Sequence, residues 1–272
     1  MDWKAILISH GQPRLADALE KLAGKDRAHL ERQLADLDFD ELDRLIRCYV
    51  RKKPETAIPA DLAPAPFFRL KPETPAQAEY YRKAEAKGRE LLAAGKVAML
   101  VVAGGQGTRL GFDGPKGTYP ICPVTGKTLF QYFAEEIGRV TEKYGHVIPW
   151  YVMTSELNDR PTREFFAAHD YFGLPEGSVR FFTQGTMPAV GYDGQLLLAA
   201  PDSLALSPNG HGGTLLALKK SGALDEMKRE GVEYISYFQV DNPLVPLADP
   251  LFLGLHALEG SRMSARMLPK TN

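Results

Sequence analysis

The stretch VAMLVVAGGQGTRLGFDGPKG, residues 97–117, carries the reading of the fold. Val97–Val102 is a short continuous apolar run, the pattern of a buried strand. It stops at Gly104 and Gly105, and Gly107, Arg109, Gly111 and the pair Pro115-Lys116 follow. Glycine-rich turns after strands bring backbone amides close to phosphate groups, because glycine has no Cβ and reaches positive φ without strain. The residues beyond the turn decide which phosphate-bearing molecule such a loop takes.

Two common phosphate loops do not fit. The dinucleotide fingerprint G-x-G-x-x-G needs a glycine where Leu110 stands, so a nicotinamide or flavin site is not expected. A P-loop ends in Gly-Lys-Thr, as residues 126–128 do, but Ile121 occupies its first glycine position and Pro123 interrupts it. Gly126-Lys127 therefore reads as a turn before a helix capped by Thr128. What remains is a loop with a built-in arginine and a lysine seven residues further on. Arg109 supplies a planar fork and Lys116 a mobile point charge, while Thr108 and the loop amides can donate to phosphate oxygens. Taken alone, the loop has an alternative reading as a strained turn with two solvent-facing cations.

Around this loop, strand-like runs at 97–102, 147–153, 179–183, 234–240 and 262–267 alternate with helical stretches at 128–143, 160–169, 213–220, 223–230 and 250–258. That alternation predicts an α/β fold, a Rossmann-like, mostly parallel sheet with helices on both faces. Residues 14–53 show leucines at helical spacing, with Asp38 and Glu41 forming a capping box and Leu37 and Leu42 a hydrophobic staple. Prolines 54, 59, 64, 66, 72 and 75 mark an extended connector. Thr74-Pro75-Ala-Gln77 opens a further helix, which Gly95 ends. The expected division is a helical region with linker at 1–96 and a nucleotide-binding catalytic domain at 97–272.

A second feature supports a ligand site. The segment YISYFQVDN, 234–242, is an apolar strand ending in Asp241-Asn242. Ligands of open α/β sheets sit beyond the carboxyl ends of the strands, which places Asp241 on the same edge as the glycine loop. Mg²⁺ takes hard oxygen ligands and often needs only one or two carboxylates, with phosphates and water completing its shell. A turn residue or helix cap is the alternative reading of Asp241.

Composition is that of an ordinary globular chain. Its 272 residues are 44% hydrophobic and 25% charged, with a net charge of -1, which points to neither nucleic acid nor a membrane surface as partner. No signal-peptide core or membrane-length apolar run is present. Cys48 and Cys122 lie far apart with no C-x-x-C pattern, which suits free thiols in a reducing cytoplasm. The six histidines show no zinc spacing, and no protein partner is inferred.

GGQGTRLG (104–111) followed by Pro115-Lys116 resembles the signature loop of the sugar-nucleotide pyrophosphorylases. PWYVMTS (149–155), FFAAHDYFGL (165–174), FFTQGTMPAV (181–190), PNGHGG (208–213) and VDNPLVPLADPLFLG (240–254) resemble the UTP-dependent branch that makes UDP-N-acetylglucosamine or UDP-glucose. The resemblance covers nearly the whole chain. It implies a nucleotide-diphospho-sugar transferase fold and a uridylyltransferase joining UTP to a sugar 1-phosphate with release of pyrophosphate. N-acetylglucosamine 1-phosphate is favoured and glucose 1-phosphate comes second.

By the same resemblance, Ala103, Gly104, Gly105, Gly107 and Thr108 hold the nucleotide and its phosphates, and Arg109 and Lys116 handle the triphosphate. Gln184 faces the uracil edge, Gly210 lies beside the base, Asp241 binds Mg²⁺, and His211 and Asn242 contact the sugar phosphate. A side-chain amide is complementary to the imide edge of uracil, although a loop amide satisfied by nearby backbone is the plainer reading of Gln184. His211 stands where the N-acetylglucosamine enzymes usually carry asparagine, and its Gly-His-Gly setting is closer to the UDP-glucose enzymes. Relatives in the resemblance continue past ARMLPKTN (265–272), so the chain reads as incomplete at its C-terminus. A UDP-sugar-dependent glycosyltransferase would want Asp-x-Asp at the strand end, where Asp241-Asn242-Pro243 stands. A uridine-nucleotide-binding fragment without turnover is the third reading.

Overall fold

The computed structural model describes residues 1–52 and 59–268. The chain begins with helices α1 (Trp3–Ser9), α2 (Pro13–Glu20), α3 (Gly24–Ala35) and α4 (Phe39–Leu45), the last running on into a π-helical turn, Ile46–Val50. Asp38 caps α4 by accepting from the Glu41 amide at 3.0 Å, as its position predicts. Helix α5 (Pro75–Ala93) follows, with the Thr74 hydroxyl accepting from the Gln77 amide at 3.2 Å. Pro54 of the connector lies outside the described residues, and 59–74 form no helix or strand.

The sheet then assembles from β1 (Val97–Val102), α6 (Leu129–Tyr144), β2 (Trp150–Thr154), α7 (Asp159–Ala168) and β3 (Val179–Thr183). Two small antiparallel pairs interrupt it, made of β4 (Thr186–Pro188) with β7 (Leu206–Pro208), and β5 (Leu198–Ala200) with β6 (Ser203–Leu204). The chain returns through α8 (Thr214–Lys220), α9 (Ala223–Arg229), β8 (Tyr234–Gln239) and α10 (Pro250–Leu258). Sheet order is β3-β2-β1-β8, and every pair is parallel.

Strand alternation sorts the core. Val97, Met99 and Val101 face one side with Trp150 and Val152, where α5, α6, α7 and α10 deliver Leu92, Phe130, Phe133, Phe166 and Leu253. Ala98 and Leu100 face the other side with Tyr151 and Met153, covered by Leu218 and Met227 from α8 and α9. A strand buried on both faces reads as a continuous apolar run, which is why VAMLVV stands out in sequence.

Three expectations change. The run 262–267 is not a strand, because this segment turns back along α10. There Arg266 pairs with Asp249 and lies 5.0 Å from the Phe252 ring, and Ser264 lies 2.8 Å from His256 Nδ1. The boundary also moves. Compact packing joins Met1–Pro66 with Thr186–Asn209, and Phe67–Gly185 with Gly210–Asn272, so α5 belongs with the sheet and not with the N-terminal helices. The short strands β4–β7, which were not expected, complete the N-terminal unit. Leu196 and Leu204 enter its core beside Leu7, Leu19, Leu30 and Leu34. Gln12, 1% exposed, fixes them by accepting from the Leu196 amide at 2.8 Å and donating to the Gly194 carbonyl at 2.9 Å.

Helices α5 and α10 cross at glycine. A Cβ on Gly254 would lie 1.6 Å from the Ala84 carbonyl oxygen, and one on Gly88 1.8 Å from that of Pro250. Backbone cannot yield as a side chain can. Gly254→Ala should therefore lower stability by about 1–3 kcal/mol through overpacking, even though alanine is the better helix former by about 1 kcal/mol. The urea midpoint measures this, and an unchanged midpoint would refute the close crossing.

Candidate functional site

The carboxyl ends of β1, β2, β3 and β8 each release a polar segment. Beyond β1, Ala103 is still tied to the sheet, its amide donating to the Met153 carbonyl at 2.8 Å. The loop then folds on itself. The Lys116 amide donates to the Gly105 carbonyl at 3.1 Å, and the Gly107 amide to the Gly114 carbonyl at 2.9 Å. Phe112 packs over Gly107, where a Cβ would come within 2.7 Å of its ring. Thr108–Leu110 form a single 3₁₀ turn that leaves Thr108 and Arg109 exposed.

Buried groups in the turn between β2 and α7 hold the loop from behind. Ser155, 4% exposed, donates its hydroxyl proton to the Gly104 carbonyl at 2.9 Å. Asn158, 0% exposed, donates to the carbonyls of Ala103 at 2.9 Å and Gly105 at 3.3 Å. Three successive carbonyls are thus engaged by protein. The amides of Gly104, Gly105, Gln106 and Thr108 donate to no partner among the described residues. Adjacent free amides on an otherwise satisfied turn make a concave patch of positive partial charge, suited to an anion. Ser155 and Asn158 were not picked out in the sequence. The available signal was Ser-x-x-Asn directly after a strand, which normally announces a helix cap.

Sequence-distant site residues meet here. Gln184, 6% exposed, follows β3, and its own amide donates to the Thr154 carbonyl at 2.8 Å. Its side-chain amide lies over Gly104, so closely that a Cβ there would stand 2.3 Å from Nε2. Lys116 lies along Gly105, its Nζ 3.8 Å from where a Cβ would stand, and donates to Asp241 Oδ2 at 2.9 Å. The Asp241 side chain keeps half of its surface in solvent. One edge of the sheet therefore gathers the Gly104–Gln184 and Gly105–Lys116–Asp241 contacts.

The remaining candidates are not in direct contact with that group. Arg109 makes no ion pair among the described residues. Gly210, at φ +55, has open space where a side chain would be. Asn242 is exposed in the turn after β8, its amide donating to the Gln239 carbonyl at 3.2 Å. His211 is held at Nδ1 by the hydroxyl of Tyr237, which projects from β8. Partial burial raises the Tyr237 phenol above its ordinary value, so at neutral pH it is protonated and able to donate to that nitrogen.

No three or more His, Cys, Asp or Glu side chains gather into a metal cage among the described residues. A cavity of 320 Å³ opens at the opposite, amino-terminal edge of the strands, lined in part by Gly95, His146, Ser178 and Arg180, and includes none of the candidate residues. Among the described residues, no helix is long and apolar enough to cross a membrane.

Gly104→Ala tests the close approach. The chain should stay folded, because the atom in the way belongs to a long side chain, while the Gln184 side-chain amide resonances move in a ¹⁵N NMR spectrum. Unmoved resonances would show that the amide does not lie over Gly104.

The sequence profile described as UTP–glucose-1-phosphate uridylyltransferase matches residues 49–272. The chain is 39% identical to the human UDP-N-acetylhexosamine pyrophosphorylase-like protein 1, over 99% of its own length and 55% of that protein's. It is 35% identical to UDP-N-acetylglucosamine diphosphorylase 1 of Arabidopsis thaliana, over 97% of its own length and 54% of that protein's. The chain thus spans about half the length of the curated relatives it matches. Among solved structures it is similar to the UDP-N-acetylglucosamine pyrophosphorylase of Trypanosoma brucei in complex with an inhibitor. There the TM-score is 0.78 at 30% identity, over 96% of this chain and 55% of that one.

Proposed function

We propose that this chain, which belongs to the UTP–glucose-1-phosphate uridylyltransferase family, carries the uridine and triphosphate part of a site that makes a UDP-sugar and pyrophosphate from UTP and a sugar 1-phosphate. The observation that carries the reading is the row of free amides at Gly104, Gly105, Gln106 and Thr108, beside Lys116 and under Gln184. Amides and a lysine suit a polyphosphate, and a buried side-chain amide beside them suits the imide edge of uracil.

In this reading the sugar phosphate oxygen attacks the α-phosphorus in line, and pyrophosphate leaves. The nucleophile is an anion at neutral pH, so no side-chain base is required. The chain's task is to hold two polyanions together and to offset their charge, which is positioning and electrostatics. The loop amides and Lys116 bind phosphate oxygens, with Arg109 free to close on the same group. Lys116 exchanges Asp241 for phosphate when the nucleotide enters. Gln184 and the backbone at Ala103–Gly105 orient the base, and Gly210 leaves room beside it.

The residues fit a Mg²⁺ ion carried by the nucleotide better than one caged by protein. Asp241 offers a half-exposed carboxylate with one oxygen free of protein partners among the described residues. Mg²⁺ commonly takes one or two carboxylates and fills its shell with phosphates and water. Asp241 would hold it, and the ion would supply charge neutralisation at the phosphates. N-acetylglucosamine 1-phosphate is the preferred sugar substrate, from the names of the relatives. Glucose 1-phosphate is the second reading, favoured by His211 in the Gly-His-Gly turn.

Calorimetry of residues 1–272 with Mg²⁺-UTP tests the nucleotide assignment. UTP should bind and ATP should not, because the base position beside Gln184 is assigned to the imide edge of uracil, which adenine lacks. Equal binding of the two would overturn the uridine assignment. Lys116→Ala should weaken UTP by about tenfold or more, the scale of one charged hydrogen bond. In a chain that turns over, the same change should cost roughly 10²–10³ in rate. Pyrophosphate-dependent formation of UTP, compared between UDP-N-acetylglucosamine and UDP-glucose, tests the reaction and the choice of sugar together.

A further inference from the structure

Asn158 stands at the N-cap of α7, yet its side chain makes no capping hydrogen bond. An asparagine there ordinarily accepts from the amides of the first helical turn, an interaction worth about 1 kcal/mol. Here Oδ1 accepts instead from the Ser155 amide at 2.8 Å, and Nδ2 reaches away from the helix to two carbonyls of the glycine loop. The orientation of the amide is decided by its partners. One side meets an N–H and the other meets two carbonyl oxygens, so neither a flipped amide nor a carboxylate satisfies both. The side chain is fully buried, where an unmet polar contact is costly.

Resting on the reading above, we propose that Asn158 is a positioning residue for phosphate binding: its clamp on the Ala103 and Gly105 carbonyls turns the Gly104–Gln106 amides toward the triphosphate. A peptide plane is rigid, so fixing its carbonyl on one side fixes the N–H of the next residue on the other. Holding the carbonyls of Ala103 and Gly105 aims the amides of Gly104 and Gln106, and Ser155 on the Gly104 carbonyl aims the amide of Gly105. Without the clamp the Gly105 carbonyl keeps only the Lys116 amide and the Ala103 carbonyl loses its Asn158 donor, so the planes gain freedom at the glycines and the ligand itself must order the amides. Of the groups assigned to the base, Gln184, which follows β3, has a tether of its own, its backbone amide donating to the Thr154 carbonyl.

The test compares UTP with uridine, using the 272-residue chain and its Asn158→Asp, Asn158→Ala and Ser155→Ala variants. Asn158→Asp keeps the shape but sets a carboxylate oxygen against two carbonyl oxygens. UTP affinity should fall at least about tenfold in both Asn158 variants, and uridine, which keeps Gln184 but has no phosphates, should lose severalfold less. Ser155→Ala, which frees one carbonyl only, should give a smaller loss in the same direction and covers the case in which an Asn158 variant fails to fold. Equal losses of UTP and uridine would reduce Asn158 to a structural role and overturn the inference, as would unchanged UTP binding in folded variants. A parent chain that binds no UTP would instead overturn the function proposed above, and this inference with it.

Discussion

Every carbonyl from Ala103 to Gly105 must find a donor on the protein side if the amides between them are to face outward. That constraint organises the candidate site. It explains why Ser155 follows directly on β2, why the residue at the N-cap of α7 does not cap it with its side chain, and why β1 and β2 are paired up to the last residue before the loop. On the opposite side glycine matters at 104, where the Gln184 amide occupies the space a Cβ would take, while at 105 Lys116 lies at ordinary contact distance. One short loop is therefore shaped from two directions. Buried donors set its backbone, and the absence of Cβ atoms sets its surface.

Lys116 and Asp241 connect this loop to the end of β8, the strand paired beside β1, across 125 residues of chain. The pair is partly exposed and so contributes little to stability, since water and salt screen it. Its significance is chemical. A lysine already oriented by a carboxylate is poised on the edge where phosphate is proposed to bind, and the carboxylate is kept from repelling that phosphate until the lysine is taken over. The two charges thus cancel locally in the free protein, and each acquires a separate partner in the proposed complex.

Much of this was legible in the sequence. The four sheet strands, their flanking helices and the glycine loop were marked by apolar runs, caps at Asp38, Thr74 and Thr128, and glycine spacing. Burial on both faces makes such strands conspicuous. The 262–267 run misled because alternating Met263, Ala265 and Met267 imitate a strand, while Arg266 and Ser264 find partners on α10. Strands β4–β7 were invisible because two or three residues show no period. Asn158 and Ser155 were missed for a different reason. Their role lies in which carbonyls they reach, and those carbonyls are more than 50 residues away in sequence.

The segment Thr186–Asn209 belongs to the N-terminal unit although the entire stretch Phe67–Gly185 separates it from the first helices. During synthesis, helices α1–α4 therefore leave the ribosome with one side of their core unfilled. Leu196 and Leu204, and the backbone partners of Gln12 and Gln33, are made only after β1, β2 and β3. At the usual pace of about 5–20 residues per second, that leaves an interval of several seconds in which the N-terminal helices cannot complete their packing. The N-terminal unit closes late, after the strands that carry the glycine loop and Gln184 have already been made.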